Sequence, residues 1–155
     1  MENRLSENKK IIYALKPGDH QAGADGDSFN AGKLHSFAFL IQAAVLTGDA
    51  VLKVYSGASD GTKTTAETFR YRLADADQGS AAADTFAAWS TSAALTLTAA
   101  TYDNRLLVVE MDSDELTDGQ PWVTLEISAA ADAFNASVVA IGEPRIRAHD
   151  IPTVI

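Results

Sequence analysis

LTGDAVLKVYSG, residues 46–57, reads as the end of one strand, a tight turn at Thr47-Gly48-Asp49 and the start of a second strand in a hairpin. Within it Leu52 and Val54 share one face and Lys53 and Tyr55 the other, the period-2 alternation of a half-solvated strand. The same signal recurs outward along the chain. In HSFAFLIQAAVL (35–46) Phe37, Phe39, Ile41, Ala43 and Val45 fall on one face, while Leu40 and Leu46 make the other partly apolar; this predicts a strand buried on most of both sides. TFRYRL (68–73) sets Phe69, Tyr71 and Leu73 inward against Thr68, Arg70 and Arg72, as a surface strand of an antiparallel sheet does. ALTLTA (94–99), NRLLVVEMD (104–112), PWVTLEIS (121–128) and FNASVVAIG (134–142) complete the set.

Turn residues separate these segments: Gly57 to Gly61, Asp103-Asn104, and Asp118-Gly119 ahead of Pro121, whose missing N–H fits the first position of a strand. About seven or eight short strands punctuated in this way predict an all-β fold, an antiparallel β-sandwich or jelly roll. The best helical candidate, QGSAAADTFAAWSTSAA (78–94), is diluted by Gly, Ser and Thr and is expected to be a long loop holding about one turn of helix. The chain divides into an N-terminal arm (1–33), a β-sandwich domain (34–142) and a C-terminal tail (143–155). The arm is polar and Gly-rich around Ile11-Ile12-Tyr13-Ala14-Leu15, which is expected to add a strand somewhere. The tail ends in Val154-Ile155, apolar enough that packing onto this subunit or a neighbour is expected.

At 155 residues one domain with no linker is the natural reading. No apolar run approaches the roughly 20 residues that would span a bilayer, so no membrane partner is expected. MENRLSENKK is not followed by the apolar segment of a secretory signal, which predicts a protein kept in a cytosol or released by lysis. The absence of cysteine excludes disulfides, thiolate nucleophiles and Cys-type zinc sites. A formal net charge of −9 opposes binding to a polyanion, and the basic residues are scattered, Lys9-Lys10 and Arg145/Arg147 being the nearest to clusters. Nucleic acid is therefore not an expected partner.

No constellation of catalytic side chains emerges. His20, His35 and His149 lie in the arm, at the start of the first long strand and in the tail, with no spacing that brings them to shared carboxylates. No serine sits in a G-x-S-x-G elbow, and GASDGTKT misses the P-loop spacing and reads as a hairpin tip. The acidic stretches hold Asp25 and Asp27, Asp75 and Asp77, and Asp112, Asp114, Glu115 and Asp118; the last set approaches a calcium loop but places Leu116 at the fifth position and lacks flanking helices. Solvated acidic turns are expected, with no metal, no cofactor and no catalytic residue. Trp89 and Trp122 are the two candidates for an exposed aromatic ligand platform.

A resemblance enters with longer runs. GDSFNAGKLHSFAFLIQAAVLTGDAVLKVYSG, FRYRLAD, LTLTAATYDNRLLVVEMDSDELTDGQPWVTLEIS and SVVAIGEPR together resemble small structural proteins of tailed bacteriophages and prophages, head-associated proteins among them, over most of residues 21–147. The resemblance implies a virion component without enzyme activity and carries over no functional residue. Its most concrete form is a capsid decoration, or cement, protein on the outer capsid surface, made in the cytoplasm of the bacterial host. The major capsid protein and further copies of the chain itself, trimers foremost, would be its partners. Under that reading Ile11, Ile12, Tyr13 and Leu15 in the arm and Ile151, Val154 and Ile155 in the tail are expected to make subunit or capsid contacts, because they are apolar outside the core pattern. The alternative is a receptor- or carbohydrate-binding β-sandwich on a phage tail or fibre, with Trp89 and Trp122 as its ligand surface. A polysaccharide-degrading enzyme would need a carboxylate pair aimed into a cleft, and turn positions account better for the aspartates.

Overall fold

The computed structural model describes residues 4–146 and 153–155. In chain order the strands are β1 (Lys10–Asp19), β2 (Ala24–Asp25), β3 (Phe29–Asn30), β4 (Leu34–Leu46), β5 (Ala50–Gly57), β6 (Thr65–Glu67), β7 (Phe69–Leu73), β8 (Ser90–Ser92), β9 (Leu95–Leu97), β10 (Leu106–Asp112), β11 (Trp122–Ile127) and β12 (Phe134–Pro144). The first sheet runs β1-β12-β4-β10-β7-β8; the second runs β2-β11-β5-β6, with β3 also on β11 and β9 also on β5. The pairings are antiparallel, and the inward faces of the two sheets close over a shared core, so the fold is the all-β antiparallel sandwich that the alternation predicts. Twelve strands form among the described residues, more than the alternation predicts, because β2 and β3 have two residues each and β6 and β8 three, too short to show it.

Period 2 places the core correctly along most strands. Leu52 and Val54 on β5, Val123, Leu125 and Ile127 on β11, and Phe134, Ala136, Val138 and Ala140 on β12 are all buried. Phe29, Phe37 and Phe39 pack with ring centroids 5.3, 5.7 and 5.8 Å apart in tilted and edge-to-face pairs, the geometry that aromatic quadrupoles favour. One departure is instructive. Phe134 pairs with Leu46 and Ala136 with Ala43, so β4 carries one residue more than β12 between these pairs. That bulge reverses the alternation, turning Leu46 into the core and leaving Val45 exposed where continued period 2 would bury it.

The Thr47-Gly48-Asp49 turn is not a hairpin. β4 belongs to the first sheet and β5 to the second, so these three residues carry the chain across the edge of the sandwich. The amides of Thr47 and Gly48 both donate to the Ala133 carbonyl, at 2.9 and 3.2 Å, and the Asp49 carboxylate accepts from the amide of Ala99 at 2.8 Å. A Cβ at Gly48 would lie 2.6 Å from the backbone of Asp132, so only glycine lets the two segments approach this closely. A hairpin does form one strand later, where β5 pairs with β6 around the tip at Gly61, whose φ is 70°. The segment 78–94 is largely loop, as expected, but it holds turns and the short strand β8 where one turn of helix was expected, and a bridge between Ala74 and Phe86 pins it.

Two boundaries move. Residues 10–30 are not an arm outside the sandwich: β1 is an edge strand of the first sheet, paired along β12 from Lys10↔Gly142 to Asp19↔Asn135, and β2 and β3 complete the second sheet. Between them the amide of Asp27 donates to the carbonyl of Ala14 at 2.7 Å, tying the two sheets at this edge. The chain end also packs on this subunit. Val154 is buried, its carbonyl accepts from the amide of Asn30, and Lys33 Nζ donates to the Thr153 carbonyl at 2.9 Å.

Candidate interaction surface

The residues with chemical potential are dispersed or already engaged. His20 is buried and its Nε2 donates to the Lys16 carbonyl at 3.0 Å; His35 is exposed at the start of β4; His149 lies outside the described residues. The acidic turns are tied to cations. Asp25 pairs with Lys63 at 2.8 Å, Asp77 with Arg105 at 2.9 Å, Asp112 with Arg70 at 3.3 Å and Asp114 with Arg145 at 2.8 Å. Glu115 folds back to accept from the amide of Asp112 at 2.9 Å, which closes a capping turn where a calcium loop would need that carboxylate facing inward.

A buried polar cluster sets the position of the 113–121 loop. The Ser56 hydroxyl donates to the Glu67 carboxylate and lies 2.9 Å from the side-chain amide of Gln120, while the same carboxylate accepts from the amide of Thr117 at 2.9 Å. Ser56 and Glu67 are both buried, so these bonds are made away from competing water.

The outward face of the first sheet is the most distinctive surface. Strand register places its side chains in rows. Arg72, Val108, Leu40 and Val139 run across β7, β10, β4 and β12; the next row is Arg70, Glu110, Ala38, Ile141 and Ile11. Tyr13 stands beyond Val139 on β1 and is 63% exposed, and Ile11 is exposed beside it. At the opposite edge Trp89 is 43% exposed. Between these margins Leu40, Val139 and Ile141 are half-buried.

Arg72 is held by aromatic rings. Its guanidinium carbon lies 4.4 Å from the centre of the Trp89 ring and 4.9 Å from that of Phe86, stacked contacts that suit the planar cation. Its Nε is buried without a hydrogen-bond partner among the described residues. Among the described residues every other arginine meets a carboxylate: Arg4 meets Glu7, Arg70 Asp112, Arg105 Asp77 and Arg145 Asp114.

The apolar residues expected to make contacts therefore divide. Ile12 (3% exposed), Leu15 and Val154 (4%) lie in this chain's own core, because β1 and the chain end pack on the sandwich; they are not free to meet another subunit. Ile11, Tyr13 and Ile155 are exposed, and Ile151 lies outside the described residues. Trp122 opens β11 in the second sheet and is half-buried, so the two tryptophans stand on different sheets. Near Trp122's sheet, Lys63 also lies 5.6 Å from the Tyr55 ring. Hydrogen bonds to Asp25, and then to Glu126 at 2.5 Å, raise its pKa above the ordinary lysine value. Sequence reading did not single out Arg72, Phe86 or Glu110. The available signal was the apolar second face of β4 and β10, carried by Leu40 and Val108, which marks a sheet whose outward side is not built for water alone.

No protein-family model matches this chain, and no curated protein sequence matches it. Among solved structures it is similar to the SPBc2 prophage-derived protein YomS, with a TM-score of 0.51 at 13% identity, covering 86% of this chain and 93% of that one. The likeness is one of fold.

Proposed function

We propose that this chain is a structural component of a bacteriophage particle and, within that class, a capsid decoration protein that binds the outer surface of the shell without catalysing a reaction. The major capsid protein and further copies of this chain are its partners, and it is made in the cytoplasm of the bacterial host. The observation that carries the reading is a sheet face with exposed Ile11 and Tyr13 at one margin and Trp89 at the other, residue types that anchor protein contacts, on a fold that ties Asp25, Asp77, Asp112 and Asp114 into ion pairs and His20 into a backbone hydrogen bond. The prophage origin of the structural neighbour supports it. Mechanistically, many equal copies would each add a modest contact energy, and the shell would gain their sum.

The copy number of this chain relative to the major capsid protein in purified particles tests the proposal. A ratio near one, or a simple fraction of it, is expected. A handful of copies would move the protein to the tail or a fibre, where Trp89 and Trp122 would be the ligand surface, and absence from particles would overturn the reading.

A further inference from the structure

We infer that the outward face of the first sheet is a self-complementary interface on which a second copy of this chain seats, Arg72 of each protomer meeting the partner's Glu110. Three observations lead there. Arg72 is fixed by two aromatic rings and meets no carboxylate among the described residues, whereas the other described arginines all meet one. Glu110 lies on the same face with no ion pair among the described residues, since Arg70, its direct cross-strand neighbour, is taken by Asp112. The register pairs Val108 with Arg72 and Glu110 with Arg70, so Arg72 and Glu110 are diagonal neighbours about 7–8 Å apart at the backbone, while the stacking on Phe86 and Trp89 holds the guanidinium.

The surface thus carries, among the described residues, an unmatched cation and an unmatched anion side by side, flanked by Val108, Leu40, Val139 and Trp89. A partner offering only carboxylates would suit Arg72 and be repelled by Glu110; one offering only cations would do the reverse. A second copy, related by a two-fold axis that lies in the interface and crosses the line between the two residues at its midpoint, at right angles to it, satisfies both at once. This is the reciprocity of an isologous contact, in which residue i meets j and j meets i. Stacking fixes the Arg72 fork before the encounter, so less freedom is lost on pairing. The result is a two-fold pair rather than a three-fold one. It does not depend on where the protein acts.

Sedimentation equilibrium of the full chain, with native mass spectrometry, tests it. The wild type is expected to be a dimer. Arg72→Glu and Glu110→Arg are each expected to raise the dissociation constant about a hundredfold or more, since each sets like charges together twice. Mixing the two variants is expected to give a heterodimer of near wild-type affinity: the acid introduced at position 72 of one protomer faces the base introduced at position 110 of the other, and the second contact keeps its native Arg72 and Glu110. A wild-type monomer, a trimer, a dimer indifferent to both reversals, or a mixture that stays monomeric would each overturn the inference. If a reversal does not fold by circular dichroism, Arg72→Gln and Glu110→Gln serve instead: dimerisation weakened by about tenfold supports the interface, and unchanged dimerisation overturns it.

Discussion

The amide of Asn30 donates to the carbonyl of Val154 across 2.6 Å, so a residue near the chain's end completes the ladder beside β3. Val154 also buries its side chain there, whereas Ile155 is exposed. Val154→Ala is expected to destabilise the fold by about 1.5–2.5 kcal/mol, from two lost buried methyl groups and the space they leave, and Ile155→Ala by less than about 0.5 kcal/mol. Urea unfolding of the two variants checks this contrast; equal effects would mean that the chain end does not dock as described.

Gly48 and Gly18 make opposite cases. A Cβ at Gly48 would sit 2.6 Å from the Asp132 backbone, whereas one at Gly18 would meet nothing within 4 Å and needs no positive φ. Gly48→Ala is expected to cost more than about 2 kcal/mol. Gly18→Ala is expected to add about 0.4–1 kcal/mol by restricting the unfolded chain. Thermal melts of both proteins would show midpoints moving in opposite directions.

The buried Ser56–Glu67 pair gives a third test. Ser56→Ala removes the hydroxyl that donates to Glu67 while the carboxylate stays buried, a change expected to cost about 1–3 kcal/mol. Because Glu67 also holds the amide of Thr117, hydrogen exchange in the 113–121 loop is expected to speed up locally, before global unfolding. Loss of stability with unchanged exchange in that loop would separate the two roles.

Alkaline pH should weaken the protein through Tyr102. Burial, with a smaller contribution from nearby Tyr71, raises its pKa above the ordinary 10.0, so the folded chain keeps the phenol protonated where the unfolded chain has begun to ionise. The stability this contributes is complete below pH 10.0 and is lost as pH rises through the folded value. Lys63 acts with the same sign above 10.5. Tyr102→Phe is expected to lose less stability than the wild type between about pH 9 and pH 11, read by denaturant midpoints at each pH.

Local alternation was enough to place β4, β5, β7, β10, β11 and β12, because each has a buried face repeated over several residues. It was not enough for the 47–49 corner. A turn that returns a strand to its own sheet and one that sends it across the sandwich use the same Gly and Asp chemistry, and the difference lies in which distant strand accepts the next segment. In β1, register shifts between Ile12 and Leu15 and again before Gly18 break the alternation that would have revealed a core strand. The stacking of Arg72 on Phe86 and Trp89 depends on how β7 and β8 meet across the long 78–94 loop, which residue spacing does not encode.

The place of β12 between β1 and β4 sets an order on the making of the protein. β1 ends at Asp19 and has no neighbour in its sheet until β12, ending at Pro144, has been synthesised. At about 5–20 residues per second a nascent chain would carry Ile12 and Leu15 unshielded for roughly 6–25 s. During translation, then, this edge of the sandwich is the last to gain its cover and the first place at which a chaperone or another nascent copy would find an open strand.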